Sequence, residues 1–357
     1  MSAHPYRSLP DQAFWRRSVA EPAPGEVDPV VVAAFMLTPG MRIATAGSCF
    51  AQHIARHLRK SGFNFLVTET AHPIASPELA EEYGYGLYTA RYGNLYTSRQ
   101  LVQLFDRAYG HFVPDTEFWH DRDGHVVDPF RPQIQPGGFQ TVDELRADRR
   151  HHFACVRAAF ESLDVFVFTL GLTECWTARS DGSAYPLCPG VAGGTFDAAQ
   201  HAFVNLSASD VTADLVAFAQ RLRTVNPNAR ILLTVSPVPL IATVTGQHVL
   251  VATTYSKSVL RVAAAEAEVA VPEIIYFPSY EIITGNFNRG AYFAEDCRSV
   301  TEEGVSHVMR VFMRHFTTAD AGVAAPFRSE PTTDAHTAVM AQIVRVVCDE
   351  EALDRDA

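Results

Sequence analysis

Unbroken apolar runs alternate along this chain with stripes at helical spacing. The first run covers residues 41–46 (MRIATA) and reads as a strand that ends in the turn residues Gly47 and Ser48. Behind it, Ala51, Ile54, Ala55 and Leu58 recur every three or four positions, which predicts a helix over 49–61 with Gly62 as its stop. A second strand is expected over 64–68. Later runs at 164–170 (DVFVFTL), 230–235 (RILLTV) and 274–277 read as strands, and the spacing predicts helices over 142–162, 209–224 and 255–269. A last helix is expected over 300–316, opened by a capping box of Ser299 and Glu302.

Strands of this kind, separated by amphipathic helices, belong to a mostly parallel sheet covered on both faces. Three stretches depart from the pattern. Residues 1–40, with Pro22, Pro24 and Pro29, read as an irregular lead-in. Residues 76–150 are rich in Tyr, Gly, Pro and charge, with one helical piece over 98–108, and read as an insertion over the sheet. Residues 171–201 read as a loop rich in Gly and Pro. The expected division is a lead-in over 1–40, an α/β domain over 41–316 and a tail over 317–357.

Composition narrows the partners. Apolar residues at 47% and charged residues at 19% exclude wholesale disorder, and 357 residues suit one α/β domain with an insertion or two domains. Acidic residues outnumber basic ones, 40 to 29, for a net charge of −11. That field argues against nucleic acid or an anionic membrane as the main partner. No apolar run approaches the roughly 18 residues that span a bilayer. The N-terminus lacks the apolar core of a secretory signal, so a cytoplasmic protein is expected. Cys49, Cys155, Cys175, Cys188, Cys297 and Cys348 form no C-x-x-C pair and are expected to be mostly buried thiols.

In a parallel sheet, ligands sit outside the carboxyl ends of the strands. The residues there are Gly47-Ser48-Cys49, Gly171-Leu172-Thr173-Glu174 and Ser236-Pro237-Val238-Pro239, with Tyr280, Glu281, Asn286 and Asp296 after the last strand. Ser48 stands at a strand–turn–helix junction. Such a serine is well placed as a nucleophile, its oxygen exposed at the sheet edge and the helix N-terminus offering N–H donors to an oxyanion. It also suits an N-cap. Cys49 is a second candidate nucleophile, or a buried small residue. His53 and His57, four apart, lack the glutamate of H-E-x-x-H and a third ligand, and read as a solvated helix face. Tyr83, Tyr85, Tyr88, Tyr92 and Tyr96 form either a platform for sugar rings or ordinary packing.

The run Gly47-Ser48-Cys49-Phe50-Ala51 resembles the five-residue signature of the GSCFA domain family. Three further blocks resemble the family in the right order: Leu233-Thr234-Val235-Ser236-Pro237-Val238, Ser256-Lys257, and Tyr276-Phe277-Pro278-Ser279-Tyr280-Glu281. The family is similar to the SGNH (GDSL-like) hydrolases. The resemblance implies a flavodoxin-like three-layer α/β/α fold. It also implies an ester hydrolase or O-acyltransferase acting through an acyl-serine, with Ser48 as nucleophile, on an O-acylated small molecule or saccharide. No metal or organic cofactor is implied.

In the SGNH class a D-x-x-H block precedes the last helix. The matching stretch here is Asp296-Cys297-Arg298-Ser299, which keeps the acid, Asp296, and carries Ser299 where the histidine would be. A serine hydroxyl needs a base. His72, after the second strand, and His248, after the Ser-Pro-Val block, lie on the relevant edge, whereas His307 reads as part of the final helix. The class draws oxyanion donors from the nucleophile's own N–H, a Gly and an Asn. The corresponding candidates are Gly47, Gly171, Thr173 and Asn94, with Glu174 to orient a base or a sugar hydroxyl. Asn94 also fits a buried structural amide. The alternative from another class is a binding module that kept the pocket and lost the base.

Overall fold

The computed structural model describes residues 4–317 and 349–355. Its strands are β1 (Ile43–Gly47), β2 (Trp119–His120), β3 (Val126–Val127), β4 (Val165–Leu170), β5 (Glu174–Ala178), β6 (Ala184–Tyr185), β7 (His201–Asn205), β8 (Arg230–Val235) and β9 (Ile274–Tyr276). The longer helices are α1 (Phe50–Lys60), α2 (Pro77–Glu82), α3 (Ser98–Ala108), α4 (Val142–Ser162), α5 (Ala208–Val225), α6 (Val249–Ala270), α7 (Ser279–Thr284) and α8 (Glu302–Phe316).

The central sheet has the order β1-β4-β8-β9, and every neighbouring pair is parallel. Each residue of β1 and β4 is buried, so both faces are covered by other elements. This is the expected α/β class, a parallel sheet with helices around it. No helix among the described residues is long and apolar enough to cross a membrane.

The described residues form two compact units: residues 4–38 with 277–317, and residues 39–276 with 349–355. The first holds α7 and α8. Phe35, Phe277, Phe312 and Phe316 pack there ring against ring. His307 is buried in the same unit, between the Tyr292 hydroxyl and the Val27 carbonyl, as the packing role expected for it requires. The second unit holds the central sheet, the insertion and the residues after each sheet strand up to β9.

Three local expectations need correction. The stretch 64–68 is not a strand: only Phe65 bridges to Ile43. Beyond that bridge the Thr45 N–H is taken by the Thr89 hydroxyl and the Thr45 carbonyl by the Tyr92 hydroxyl, so side chains satisfy the edge groups that a strand would have used. The loop 171–201 instead contains β5 and β6, which join β7 in an antiparallel sheet of order β6-β5-β7. Its strands are short and pair across a Gly/Pro-rich excursion, which hides their period. The final helix is capped by Thr301, whose side chain accepts the Gly304 N–H. Ser299 does not cap it, because its hydroxyl donates to Asp296 at 2.6 Å. Most of the expected tail, including Cys348, lies outside the described residues.

Candidate active site

Gly47 fixes where Ser48 goes. Its φ is +129°, and a Cβ there would sit 2.3 Å from the Thr169 carbonyl oxygen on the neighbouring strand. Only glycine tolerates both conditions, so β1 turns sharply against β4 and the chain passes straight into α1. The α1 helix forms because Ala51, Ile54, Ala55 and Leu58 bury one face, while His57, Arg59 and Lys60 favour its C-terminal end. Cys49 occupies the cap position with no side-chain bond, so the Ser48 hydroxyl is not the helix cap. The Cys49 thiol is buried at the helix start.

Ser48 is 3% exposed. Its N–H donates to the Thr169 carbonyl at 3.0 Å, and its carbonyl accepts the Ala51 N–H at 2.9 Å. Its Oγ is buried and has no hydrogen-bond partner among the described residues. The exposed oxygen expected at the sheet edge is therefore replaced by a sealed one. The cause is close packing: a Cβ on Gly171 would lie 3.0 Å from Ser48 Cβ and 3.0 Å from the Tyr96 carbonyl oxygen.

The strip Asn94-Leu95-Tyr96 forms one wall. The Leu95 N–H donates to the Gly47 carbonyl at 2.9 Å, and the Gly171 N–H donates to the Tyr96 carbonyl at 3.0 Å. Asn94 is buried. The Tyr88 hydroxyl lies between its Oδ1 and the Ser48 carbonyl, at 3.2 Å from the latter, and accepts from Gln52 Nε2 at 3.2 Å. Asn94 Nδ2 donates to Asp349 Oδ2 at 3.0 Å.

The structure thus brings Ser48, Gly47, Gly171 and Asn94 together. Thr173 and Glu174 follow on the next loop. The Thr173 N–H donates to Ser256 Oγ at 3.1 Å, and the Thr173 hydroxyl donates to Asn205 Oδ1 at 2.6 Å. Glu174 accepts the Thr243 hydroxyl, and burial pushes its carboxyl above the ordinary value. The candidate bases are elsewhere on the surface. His72 is exposed, its Nδ1 accepting the Ile74 N–H, and His248 is exposed, its Nδ1 accepting the Leu250 N–H as the cap of α6. In each neutral ring the proton then sits on Nε2. Asp296 belongs to the first unit and is exposed. Burial raises its carboxyl, but hydrogen bonds from the Ser299 hydroxyl and the N–H groups of Arg298 and Ser299 together outweigh it and hold it below its ordinary value.

Tyr88, Tyr92 and Tyr96 are buried with their hydroxyls bonded inside the protein, so these three pack and do not form a sugar platform. His53 and His57 are half-buried, not solvated, and burial pushes the His53 ring down to about 4. Among the described residues, the group with metal-ligand spacing is Asp121, Asp123 and His125 on the β2–β3 turn. There Asp121 Oδ1 accepts the N–H groups of the other two, which are turn bonds.

Lys257 and Asp349 are among the buried charged residues that the sequence left unassigned. Lys257 is 1% exposed, and its Nζ donates to the Gly171 carbonyl at 2.7 Å. The signal was present: Lys257 shares the buried stripe of α6 with Leu260 and Ala264. Asp349 is 6% exposed, and burial pushes its carboxyl up to about 6 against the hydrogen bond from Asn94. Its acid-rich surroundings in sequence give no such signal. Asp349, Asn94, Tyr88, Gln52 and Arg131 line a common cavity of about 180 Å³.

A model of the GSCFA family matches residues 42–312. Comparison with curated proteins finds no match. Two solved structures similar to this chain are variants of Axe2, an acetyl-xylooligosaccharide esterase from Geobacillus Stearmophilus. The first has a TM-score of 0.32 at 13% identity, and the second 0.31 at 14%; each alignment covers 79% of this chain and 96% of the other. A third is Est2A, an acetyl xylan esterase from the rumen bacterium Butyrivibrio proteoclasticus, with a TM-score of 0.23 at 12% identity over 70% of this chain and 56% of that one. The family match spans the junction that carries Ser48 and most of the chain after it, and the chain belongs to the GSCFA family.

Proposed function

We propose that this chain is a serine ester hydrolase or O-acyltransferase of the SGNH type, working through an acyl-Ser48 on an O-acylated small molecule or saccharide. The observation that carries the reading is the Ser48 hydroxyl, buried at a strand–helix junction and without a hydrogen-bond partner among the described residues. Leaving such a group unpaired costs about 1–3 kcal/mol, and an unsatisfied buried group in a native fold points to a role toward a ligand. Membership of the GSCFA family supports the same residue, since Ser48 is the serine of the signature.

In this reading Ser48 Oγ bonds to the acyl carbon while its proton passes to a base. The oxyanion is held by the N–H groups at the start of α1 and by the Asn94 amide, with Gly47 and Gly171 admitting it closely and Thr173 and Glu174 bordering the site. Collapse expels the alcohol, which takes the proton from the conjugate acid, and leaves an acyl-serine. Water or a sugar hydroxyl then attacks and restores Ser48. His248 or His72 supplies the base, and either ring must first release its backbone bond.

One observation favours a second reading. Among the described residues no ring nitrogen hydrogen-bonds to the Ser48 hydroxyl, and a site without a base suits a carbohydrate- or ligand-binding module. A fluorophosphonate probe separates the two. The enzyme labels at Ser48 and loses the label in Ser48→Ala. A chain that stays unlabelled yet binds an acetylated oligosaccharide is the binding module.

A further inference from the structure

Two consecutive residues of α6 grip the loop that backs Ser48. Lys257 Nζ donates to the Gly171 carbonyl at 2.7 Å, and Ser256 Oγ accepts the Thr173 N–H at 3.1 Å. Both side chains are buried. Gly171 is packed on Ser48 itself: a Cβ on the glycine would lie 3.0 Å from Ser48 Cβ. The link is direct at both ends, with Lys257 on the glycine and the glycine on the serine.

The same peptide also holds the strip that carries Asn94. The peptide joining residues 171 and 172 gives its carbonyl to Lys257 and its N–H, that of Leu172, to the Tyr96 carbonyl at 2.9 Å. The Gly171 N–H shares that acceptor at 3.0 Å. Hydrogen bonds at the two ends of one peptide polarise each other, so a cation on the carbonyl strengthens the bond to Tyr96. A neutral donor could hold a carbonyl too, and burying an ammonium costs far more than burying an amide or a hydroxyl. The 2.7 Å separation is that of a charge-assisted bond. Using an ammonium here places a fixed positive charge one residue away from the serine, where it favours negative charge that develops on the reacting atoms.

We propose that Lys257 is a positioning residue of the Ser48 site: its ammonium fixes the Gly171 peptide against Ser48 and lends residue 48 a positive charge that favours an anion there. Lys257 acts through Gly171. Its part in catalysis rests on the reading of Ser48 as the acyl site, whereas its charge can be measured without any catalysis.

The test therefore reads charge and catalysis apart. In the full-length chain, Ser48→Cys puts a thiol at the position, and a thiol beside a cation ionises at lower pH. Its titration is followed by the ultraviolet absorption of the thiolate, taken as the difference from the chain that keeps Ser48, so no reagent has to enter the site. Adding Lys257→Met should raise the midpoint by about one pH unit, and Lys257→Arg should restore part of the shift. Ser256→Ala cuts the other half of the grip and keeps the charge, so it should leave the midpoint in place. Glu174, held by Thr243 after the same loop, is present in every chain and cancels in the comparison. A midpoint that moves as far in Ser256→Ala as in Lys257→Met, or moves in neither, overturns the proposal. Thermal melts confirm folding, and Lys257→Gln takes the place of the Met variant if that chain does not fold. Fluorophosphonate labelling with Ser48 in place tells the two claims apart, and should slow about tenfold in Lys257→Met, the factor that matches one pH unit. A shifted thiol combined with a serine that no chain labels upholds the charge of Lys257 and removes Ser48 as the nucleophile.

Discussion

Two buried polar clusters lie in the second unit, and they are built on opposite rules. In one, carboxylates face guanidinium groups. Arg131 bonds Asp128 at 2.9 Å and Asp148 at 2.7 Å, Arg91 bonds Asp148 at 2.9 Å, and Arg149 pairs with Asp128 at 3.1 Å. Burial would push the Asp128 carboxyl up, but Arg131, Arg149 and Arg107 hold it far below the ordinary range. In the other cluster a hydroxyl, Ser48 Oγ, stands between two glycines with no hydrogen-bond partner among the described residues. The first arrangement ties the insertion together, and the second leaves a bond to be made. The charged cluster still leaves Arg149 Nε, Glu69 Oε1 and His152 Nε2 buried without a hydrogen-bond partner among the described residues, but its opposite charges face one another. What separates the two is charge: the first sets carboxylates against guanidinium groups, and the second holds a neutral hydroxyl.

The comparison breaks most severely if the backbone between the clusters and the sheet changes. Gly47→Ala places a Cβ against the Thr169 carbonyl at a positive φ. It should cost about 4 kcal/mol or more in urea unfolding, enough to abolish the fold in a marginal protein. Asp128→Ala leaves Arg131 and Arg149 without their shared partner, and should cost about 3–5 kcal/mol by the same measurement.

Acid should dismantle the charged cluster stepwise. His152 Nδ1 lies 2.7 Å from Glu69 Oε2. Burial first, then the charge of Arg131, push the ring from 6.5 down to about 4, so the contact is a hydrogen bond from a neutral imidazole to a carboxylate. Burial raises Glu69, but the bond from His152 and the charge of Arg131 outweigh it and bring the carboxyl from 4.5 to about 2. Both folded values lie below the unfolded ones. The contribution of each group is therefore complete at high pH and lost on acidification. For His152 the loss spans pH 6.5 to 4, and for Glu69 it spans 4.5 to 2. Each should remove about 3 kcal/mol, read as falling urea midpoints across a pH series.

The pocket should respond in the opposite sense. Ser48→Ala removes a buried hydroxyl that bonds to nothing among the described residues, and should leave stability unchanged or raise it by about 1 kcal/mol. A loss of stability would mean that the hydroxyl is satisfied after all, and would erase the contrast between the clusters.

How much of this was legible in the residues follows the same division. Helices α3 and α4 and strand β8 fall on the residues that periodicity indicated, because their buried stripes and continuous runs are local signals. The strand expected over 64–68 failed because Thr89 and Tyr92, more than twenty positions away, satisfy the edge of β1. The antiparallel sheet around β5 was hidden for the same reason: its pairs, such as Glu174 with Asn205, join residues separated by a Gly/Pro-rich loop. In the site, Gly47 and Ser48 were legible because a turn and a helix start are written in consecutive letters. The burial of Ser48 was not, since it depends on Gly171, Tyr96 and the strip beside them. Asp349 was invisible in an acidic tail, where nothing local marks one carboxylate among several as buried.

The central claim is that the Ser48 oxygen becomes acylated. Incubation of the chain with p-nitrophenyl acetate, rapid acid quenching and peptide mass spectrometry test it directly. The account predicts an acetyl increment on the peptide that contains Ser48, absent in Ser48→Ala. An acetyl group found only elsewhere, or equally on Cys49 in the Ser48→Ala chain, would contradict it.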